Sequence, residues 1–241
     1  MQSNGHAKSG TETDDVTARL REMIMNGTFA PNERLTEMGL AEQMNVSRTP
    51  IRLALARLER EEIVIGVPNR GFRVRAFTID DFIEILEVRA TLEGMAARLA
   101  AERGVYPAYK DILDDCLDGA DQILESGSID DDGRRKYIEL NVKFHSAITD
   151  MAGNSLLARR LEGHPFRSAP LLHLLSADKI FDVVYAGQMD HKRVAEAIAQ
   201  GEGTRAEFAM REHALSPKSN IEYFYEYVQR NAARAQRLHA V

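Results

Sequence analysis

The chain has 241 residues, a formal net charge of −6 and one cysteine. This length holds a small module plus a second domain with its own core, and a lone thiol excludes a disulfide framework. No apolar run reaches the ~20 residues of a membrane span, and the polar start MQSNGHAKSG lacks a signal-peptide core, so we expect a cytoplasmic protein with no membrane contact.

Residues 1–13 are polar and are expected to form a disordered tail. Residues 16–25 then read as a helix with Val16, Leu20, Met23 and Ile24 on one side, ended by Gly27. Residues 29–35 form a turn-rich connection. Thr36 with Glu37 opens a second short helix that buries Leu40, Ala41 and Met44, and Asn45-Val46 turns the chain. In the third helix Ser47 is a good N-cap and Pro50 sits in the first turn, where its missing N–H does no harm. Ile51, Leu55 and Leu58 make one apolar stripe, and Arg48, Arg52 and Arg57 fall away from it.

A helix that begins with hydroxyls and arginines is suited to a DNA groove, although an isolated basic face is usually just solvated. The following segments favour the groove. Apolar runs over 63–67 and 72–76 are joined by Pro68-Asn69-Arg70-Gly71, a hairpin turn in which Gly71 can take positive φ; a strand can start at Glu62. Three helices and a basic hairpin over 14–76 make a winged helix-turn-helix, with Arg34, Ser47, Arg48, Thr49, Arg52, Arg57, Arg70 and Gly71 as candidate DNA contacts. Charge is partitioned accordingly. Residues 1–76 hold 11 Lys and Arg against 10 Asp and Glu, while the rest holds 20 against 27. The cations gather where phosphates would lie.

From Thr78 the pattern is helical throughout. Helices are predicted over 78–103, 109–124, 134–151, 155–161, about 170–175, 179–186, 190–200, 204–215 and 217–238, with breaks at Gly127, Gly133, Gly153, Gly163, Gly187, Gly201 and Pro217. The expected fold is mainly α: the winged module followed by an all-α helical bundle over 78–234. Cys116, among Ile112, Leu113 and Leu117, reads as a buried small hydrophobe.

Arg89 interrupts the apolar face of the first of these helices. It either pairs with Glu93 at i+4 or grips an effector carboxylate. His145, His191 and His213 fall on three predicted helices, and Asn141 shares a face with His145 four residues on. On spacing alone these are either polar core histidines or ligands of one ion. Arg134 and Tyr137 are further candidates for a pocket rim; His164 and His173 read as surface or rim residues.

The string FAPNERLTEMGLAEQMNVSRTPIRLALARLEREEIVIGVPNRGFRV resembles the DNA-binding domain of the GntR family of bacterial transcription regulators, with Glu62 where the family usually places Gly. The segments VRATLEGMAARLAA, FHSAITDMAGN, DHKRVAEAIAQGE and AMREHAL resemble the all-helical FCD ligand-sensing domain of the FadR subgroup. The less typical stretch 163–185 is expected to shape this chain's own pocket. The resemblance implies a homodimer on an inverted-repeat operator in double-stranded DNA and a small carboxylate effector. It also implies a divalent transition metal, zinc or nickel, held by His145, His191 and His213, with Asn141 in place of the usual Asp. A neutral amide offers the ion no charge, so weaker metal binding is expected. A metal-dependent enzyme using the three histidines is the competing class, opposed by the absence of an evident general base in the sequence.

Overall fold

A computed structural model describes residues 5–25, 27–68, 70–104, 107–162, 172, 175, 177–221 and 226. The chain divides between Thr78 and Ile79 into two units. The first contains α1 (Gly5–Met25), β1 (Arg34–Leu35), α2 (Glu37–Met44), α3 (Arg48–Arg60), β2 (Val64–Val67) and β3 (Gly71–Val74). Leu20, Ile51, Leu55 and Leu58, all fully buried, belong to its single apolar core. This is the winged helix-turn-helix expected from the periodicity.

Three details differ from expectation. The helix α1 starts at Gly5, so residues 5–13 are helical rather than a disordered tail. Hydropathy alone cannot see the reason, which is tertiary: Thr13 and Thr17 are buried, and Asp14 pairs with Arg57 of α3. Glu62 does not begin a strand. It turns with φ +57, Ile63 N–H closes the helix end on the Leu58 carbonyl (2.9 Å), and β2 starts at Val64. A residue with a Cβ is strained by ~1–2 kcal/mol in that left-handed region, which explains why glycine suits the position. The connection before α2 also contains a strand. At two residues, β1 is too short to show alternation, yet it joins the wing in an antiparallel sheet of order β1-β3-β2, with Leu35 opposite Phe72.

Gly71 starts β3 at φ +83, as expected, and a Cβ there would lie 2.9 Å from the Leu35 carbonyl oxygen. Only glycine satisfies both the backbone angle and the approach of β1.

The second unit contains α4 (Ile79–Arg103), α5 (Pro107–Leu124), α6 (Asp131–Met151), α7 (Ser155–Glu162), α8 (Ala177–Ala199) and α9 (Gly203–Leu215), followed by a 3-10 turn, Ser216–Asn220. Asp130 caps α6, its Oδ1 accepting from Gly133 N–H at 2.8 Å. The helix α8 runs unbroken through Gly187, where two helices were predicted. A glycine inside a helix costs only ~1 kcal/mol, and the burial of Ile180, Val184, Val194 and Ile198 on either side outweighs it. The pattern at 170–175 and the last predicted helix, 217–238, lie mostly outside the described residues.

The core of this unit uses small residues where α4 meets its neighbours. Ala96, Ala97 and Ala100 of α4 cluster with Ala206 and Met210 of α9. At Gly94 α4 and α9 approach closely: a Cβ would collide with Arg211 Cγ and lie 3.1 Å from the Glu207 backbone oxygen. This tight crossing brings the Arg89 and Glu93 turns of α4 toward the histidines.

Candidate functional site

The three histidines converge. His145 on α6, His191 on α8 and His213 on α9 face one another, with Nε2 of His191 and His213 3.1 Å apart and Nε2 of His213 and His145 3.3 Å apart. Two nitrogens bound to one ion at a Zn–N length of about 2.0–2.1 Å and a tetrahedral angle lie ~3.3 Å apart. Among the described residues these three form a group whose ligand atoms all lie within 4.8 Å of one another. Burial lowers the pKa of His191 well below the usual imidazole range, helped by the neighbouring His213 and His145, and burial also lowers that of His213. Neutral imidazoles keep the lone pair that a metal needs. The Asn141 amide is buried, and its Nδ2 has no hydrogen-bond partner. An unsatisfied buried amide on the helix that carries His145 fits a role as an oxygen donor, since its O and N are interchangeable by rotation. The residue types and their placement therefore fit a divalent transition metal.

Two carboxylates back this group, and the sequence reading missed their roles. Glu93 on α4 is buried, its Oε1 accepting from Arg89 Nε at 2.9 Å and its Oε2 lying 3.2 Å from His145 Nδ1. Burial pushes the Glu93 carboxyl up, but the Arg89 guanidinium and His145 outweigh it and hold the group well below the ordinary carboxylate range. Asp190 Oδ2 lies 3.5 Å from His213 Nδ1, and the other oxygen meets Arg193. Burial raises the Asp190 carboxyl as well, and His213 and Arg193 together bring it below its usual value. Glu93 entered the sequence reading only as a partner for Arg89. Asp190 adjoins His191 in sequence yet reaches His213 across a helix pair, which no linear spacing reveals.

A cavity of about 80 Å³ opens beside the histidines. Arg89, Tyr137, Asn141 and His213 line one part of it, and Phe82, Leu86, Leu172, Leu175 and Val183 supply apolar walls. Arg89 pairs with Glu93, the first of its two sequence readings, and it also lines the cavity. Tyr137 is buried, and burial, with the nearby Asp190 charge, pushes its phenol up, so it remains a neutral donor. Arg134 does not line the cavity. Its Nη1 donates to the Leu172 and Leu175 carbonyls at 2.8 and 3.0 Å, which fixes the wall. His164 and His173 lie outside the described residues.

In the first unit Ser47, Arg48, Thr49 and Arg52 are exposed at the start of α3. The Ser47 backbone is extended as an N-cap requires, but its side chain makes no cap hydrogen bond. Arg48 contacts Glu37 at 3.2 Å while remaining 69% exposed. Arg70 and Gly71 are exposed on the wing, and Arg34 Nε donates to the Arg70 carbonyl at 2.8 Å, tying β1 to the wing tip. Arg57 is the exception among the candidate contacts. It lies toward the far end of α3 and pairs with Asp14 of α1.

Residues 12–74 match the model of the gntR family of bacterial regulatory proteins, and residues 84–216 match the FCD domain model. The HTH-type transcriptional regulator LutR of Bacillus subtilis is 30% identical over 86% of this chain and 100% of its own length. The chain belongs to the GntR family. Its helical unit carries the FCD domain, which is consistent with the FadR-like subgroup. The Escherichia coli McbR/YncC structure is similar to it with a TM-score of 0.71 and 25% identity, covering 89% of this chain and 98% of that one. YdhC of Bacillus subtilis, named as an uncharacterized HTH-type transcriptional regulator, is 34% identical over 60% of this chain, a match that spans only 62% of YdhC itself. These relatives are named as transcriptional regulators. No described helix is long and apolar enough to cross a membrane.

Proposed function

We propose that this GntR-family chain is a DNA-binding transcription regulator whose helical unit senses a small carboxylate beside a metal ion. The observation that carries the DNA-binding part is the exposed Ser47–Arg52 turn at the start of α3, with an arginine-bearing wing in the same unit. Donors and cations at a helix N-terminus suit the major groove, and Arg70 and Gly71 suit the backbone or minor groove. One such helix reads only a few base pairs, so a homodimer on an inverted repeat supplies the specificity. Light scattering of the full chain at micromolar concentration, with and without DNA, tests that reading; a monomer in both refutes it. Anisotropy titrations against DNA from the chain's own promoter region, at one fixed salt concentration, test the contacts. Arg48→Ala and Arg52→Ala should each cost about 1–3 kcal/mol if a base edge is read. Unchanged affinity in both overturns the assignment.

The effector part of the reading is supported by the cavity. His145, His191 and His213, with the Asn141 amide beside them, would hold a zinc or nickel ion, and the bound ion would supply a Lewis-acidic partner for carboxylate oxygens. Arg89 presents a cation to the same cavity, Tyr137 a neutral donor, and the apolar walls suit the body of an organic acid. An effector changes DNA binding only if it binds two states of the chain with different affinity. Chain continuity from β3 through Thr78 into α4, which carries Arg89, offers a covalent route for that change. Thermal shifts with a panel of small carboxylates, on zinc-loaded and metal-stripped full chain, are the test. Binding unaffected by metal or by Arg89→Gln refutes the effector reading.

A further inference from the structure

The metal reading leaves a charge problem. Three imidazoles and one amide are all neutral, so a dication at Nε2 of His145, His191 and His213 would stay uncompensated by its own ligands in a buried site. Negative charge is nevertheless present one layer out. Glu93 Oε2 lies 3.2 Å from Nδ1 of His145, and Asp190 Oδ2 lies 3.5 Å from Nδ1 of His213. Both carboxylates are on the sides of the rings away from the close Nε2 contacts, and both side chains are largely buried, at 6% and 12% exposure.

We propose that Glu93 and Asp190 are positioning residues for the metal, supplying through His145 and His213 the negative charge that Asn141 does not. This inference rests on the metal reading above. Neither contact closes as a hydrogen bond, since Glu93 Oε2, His145 Nδ1 and His213 Nδ1 are all without one, but a carboxylate charge 3.2–3.5 Å from Nδ1 favours the proton there over Nε2 and leaves the Nε2 lone pair directed at the other rings. It also makes the imidazole a better donor as the ion draws electron density from it. At His145 the other Glu93 oxygen accepts from Arg89 Nε at 2.9 Å, so the guanidinium competes with the imidazole and the ion for the same negative charge. At His213 the contact is longer and Arg193 takes the other oxygen near solvent, so Asp190 is the weaker of the two.

The bland alternative is that Glu93 merely neutralises the buried Arg89. The two readings part on paired variants. Glu93→Gln and Arg89→Gln break the same ion pair, so a purely structural Glu93 makes them behave alike toward metal. A carboxylate that serves His145 makes them opposite. Zn²⁺ alone is the probe, titrated into the metal-stripped full chain in competition with a chelating dye. Glu93→Gln should weaken Zn²⁺ about 10–100-fold and Asp190→Asn about tenfold, while Arg89→Gln should leave affinity unchanged or raise it. Asn141→Asp in the Glu93→Gln background should recover the loss, since it returns a carboxylate to the helix face of His145. In the metal-free chain, nitrogen NMR should find His145 with its proton on Nδ1, and Glu93→Gln should shift that proton toward Nε2. Far-ultraviolet dichroism checks that each variant folds, and the tautomer measurement on the wild-type chain needs no variant. Wild-type chain that binds neither Zn²⁺ nor Ni²⁺ overturns the metal reading and this inference with it. Wild-type binding matched by Glu93→Gln, or equal losses in Glu93→Gln and Arg89→Gln, overturns this inference alone.

Discussion

Gly94→Ala sets the packing of the helical unit against helix propensity, and the structure says which wins. An alanine inside a helix is favoured over glycine by about 0.8–1 kcal/mol. At position 94 the new methyl would collide with Arg211 Cγ and lie 3.1 Å from the Glu207 backbone oxygen. The arginine can swing away, because its side chain is 44% exposed and its Glu207 contact is a long 3.9 Å, at a cost of about 0.5–1.5 kcal/mol. The backbone oxygen cannot, so α9 must move off α4. Overpacking of this kind costs about 1–3 kcal/mol, leaving a net loss near 1 kcal/mol, or about 2–4 °C in melting temperature for a unit of this size. Gly119→Ala is the matched control. Its nearest obstacles all belong to the Leu140 side chain, which can rotate, so propensity should win there and the melting temperature hold or rise. Because Glu93 and His213 ride on the two displaced helices, Gly94→Ala should also weaken Zn²⁺ binding, and Gly119→Ala should not. Calorimetric melting of the full chain with and without Zn²⁺ reads both effects. Gly94→Ala melting at or above Gly119→Ala would show that the α4–α9 crossing is looser than described.

Glu62 is strained at φ +57, so Glu62→Gly should match or exceed wild-type stability by about 0.5 kcal/mol, with glycine's own entropy and the lost Arg75 pair taking back part of the gain. Glu62→Val should lose about 1–2 kcal/mol, and urea midpoints of the first unit's transition check both, with the same rank reversed counting against the strain. Arg57→Ala should lower stability by less than about 1 kcal/mol, as expected of an exposed pair with Asp14, and leave the preference for operator over random DNA unchanged; a lost preference would return Arg57 to the DNA contacts. Stripping the metal should lower the melting temperature of the second unit's transition, since a ligand at a hundred times its Kd contributes about 2.7 kcal/mol, and a chelator without effect would argue that no ion is held.

Much of this architecture was legible in one dimension because the physics there is local. The stripe of Ile51, Leu55 and Leu58 and the proline in the first turn of α3 depend on neighbours within a few residues, and the structure has them as expected. The same holds for α4 to α6, whose apolar spacing is strong and whose ends differ from expectation by at most three residues. Gly187 misled because a glycine inside a helix looks like a boundary until flanking burial is counted. The short strand β1 was invisible because its partner is 37 residues away, Leu35 opposite Phe72.

The site divides along the same line. Helical phase was enough to select Arg89 as a polar side chain in an apolar face, while His145, His191, His213 and Asn141 were selected as a set by the resemblance to the FCD domain. What the sequence could not determine is which side chains meet. That Arg57 holds α1, that Arg134 braces the cavity wall, and that Glu93 and Asp190 stand behind two of the histidines all follow from how the helices cross. Electrostatic partnership acts through a few ångströms of space, while sequence spacing measures distance along one helix only. A carboxylate on α4 and an imidazole on α6 become partners only when the alanine and glycine surface of α4 lets the bundle close.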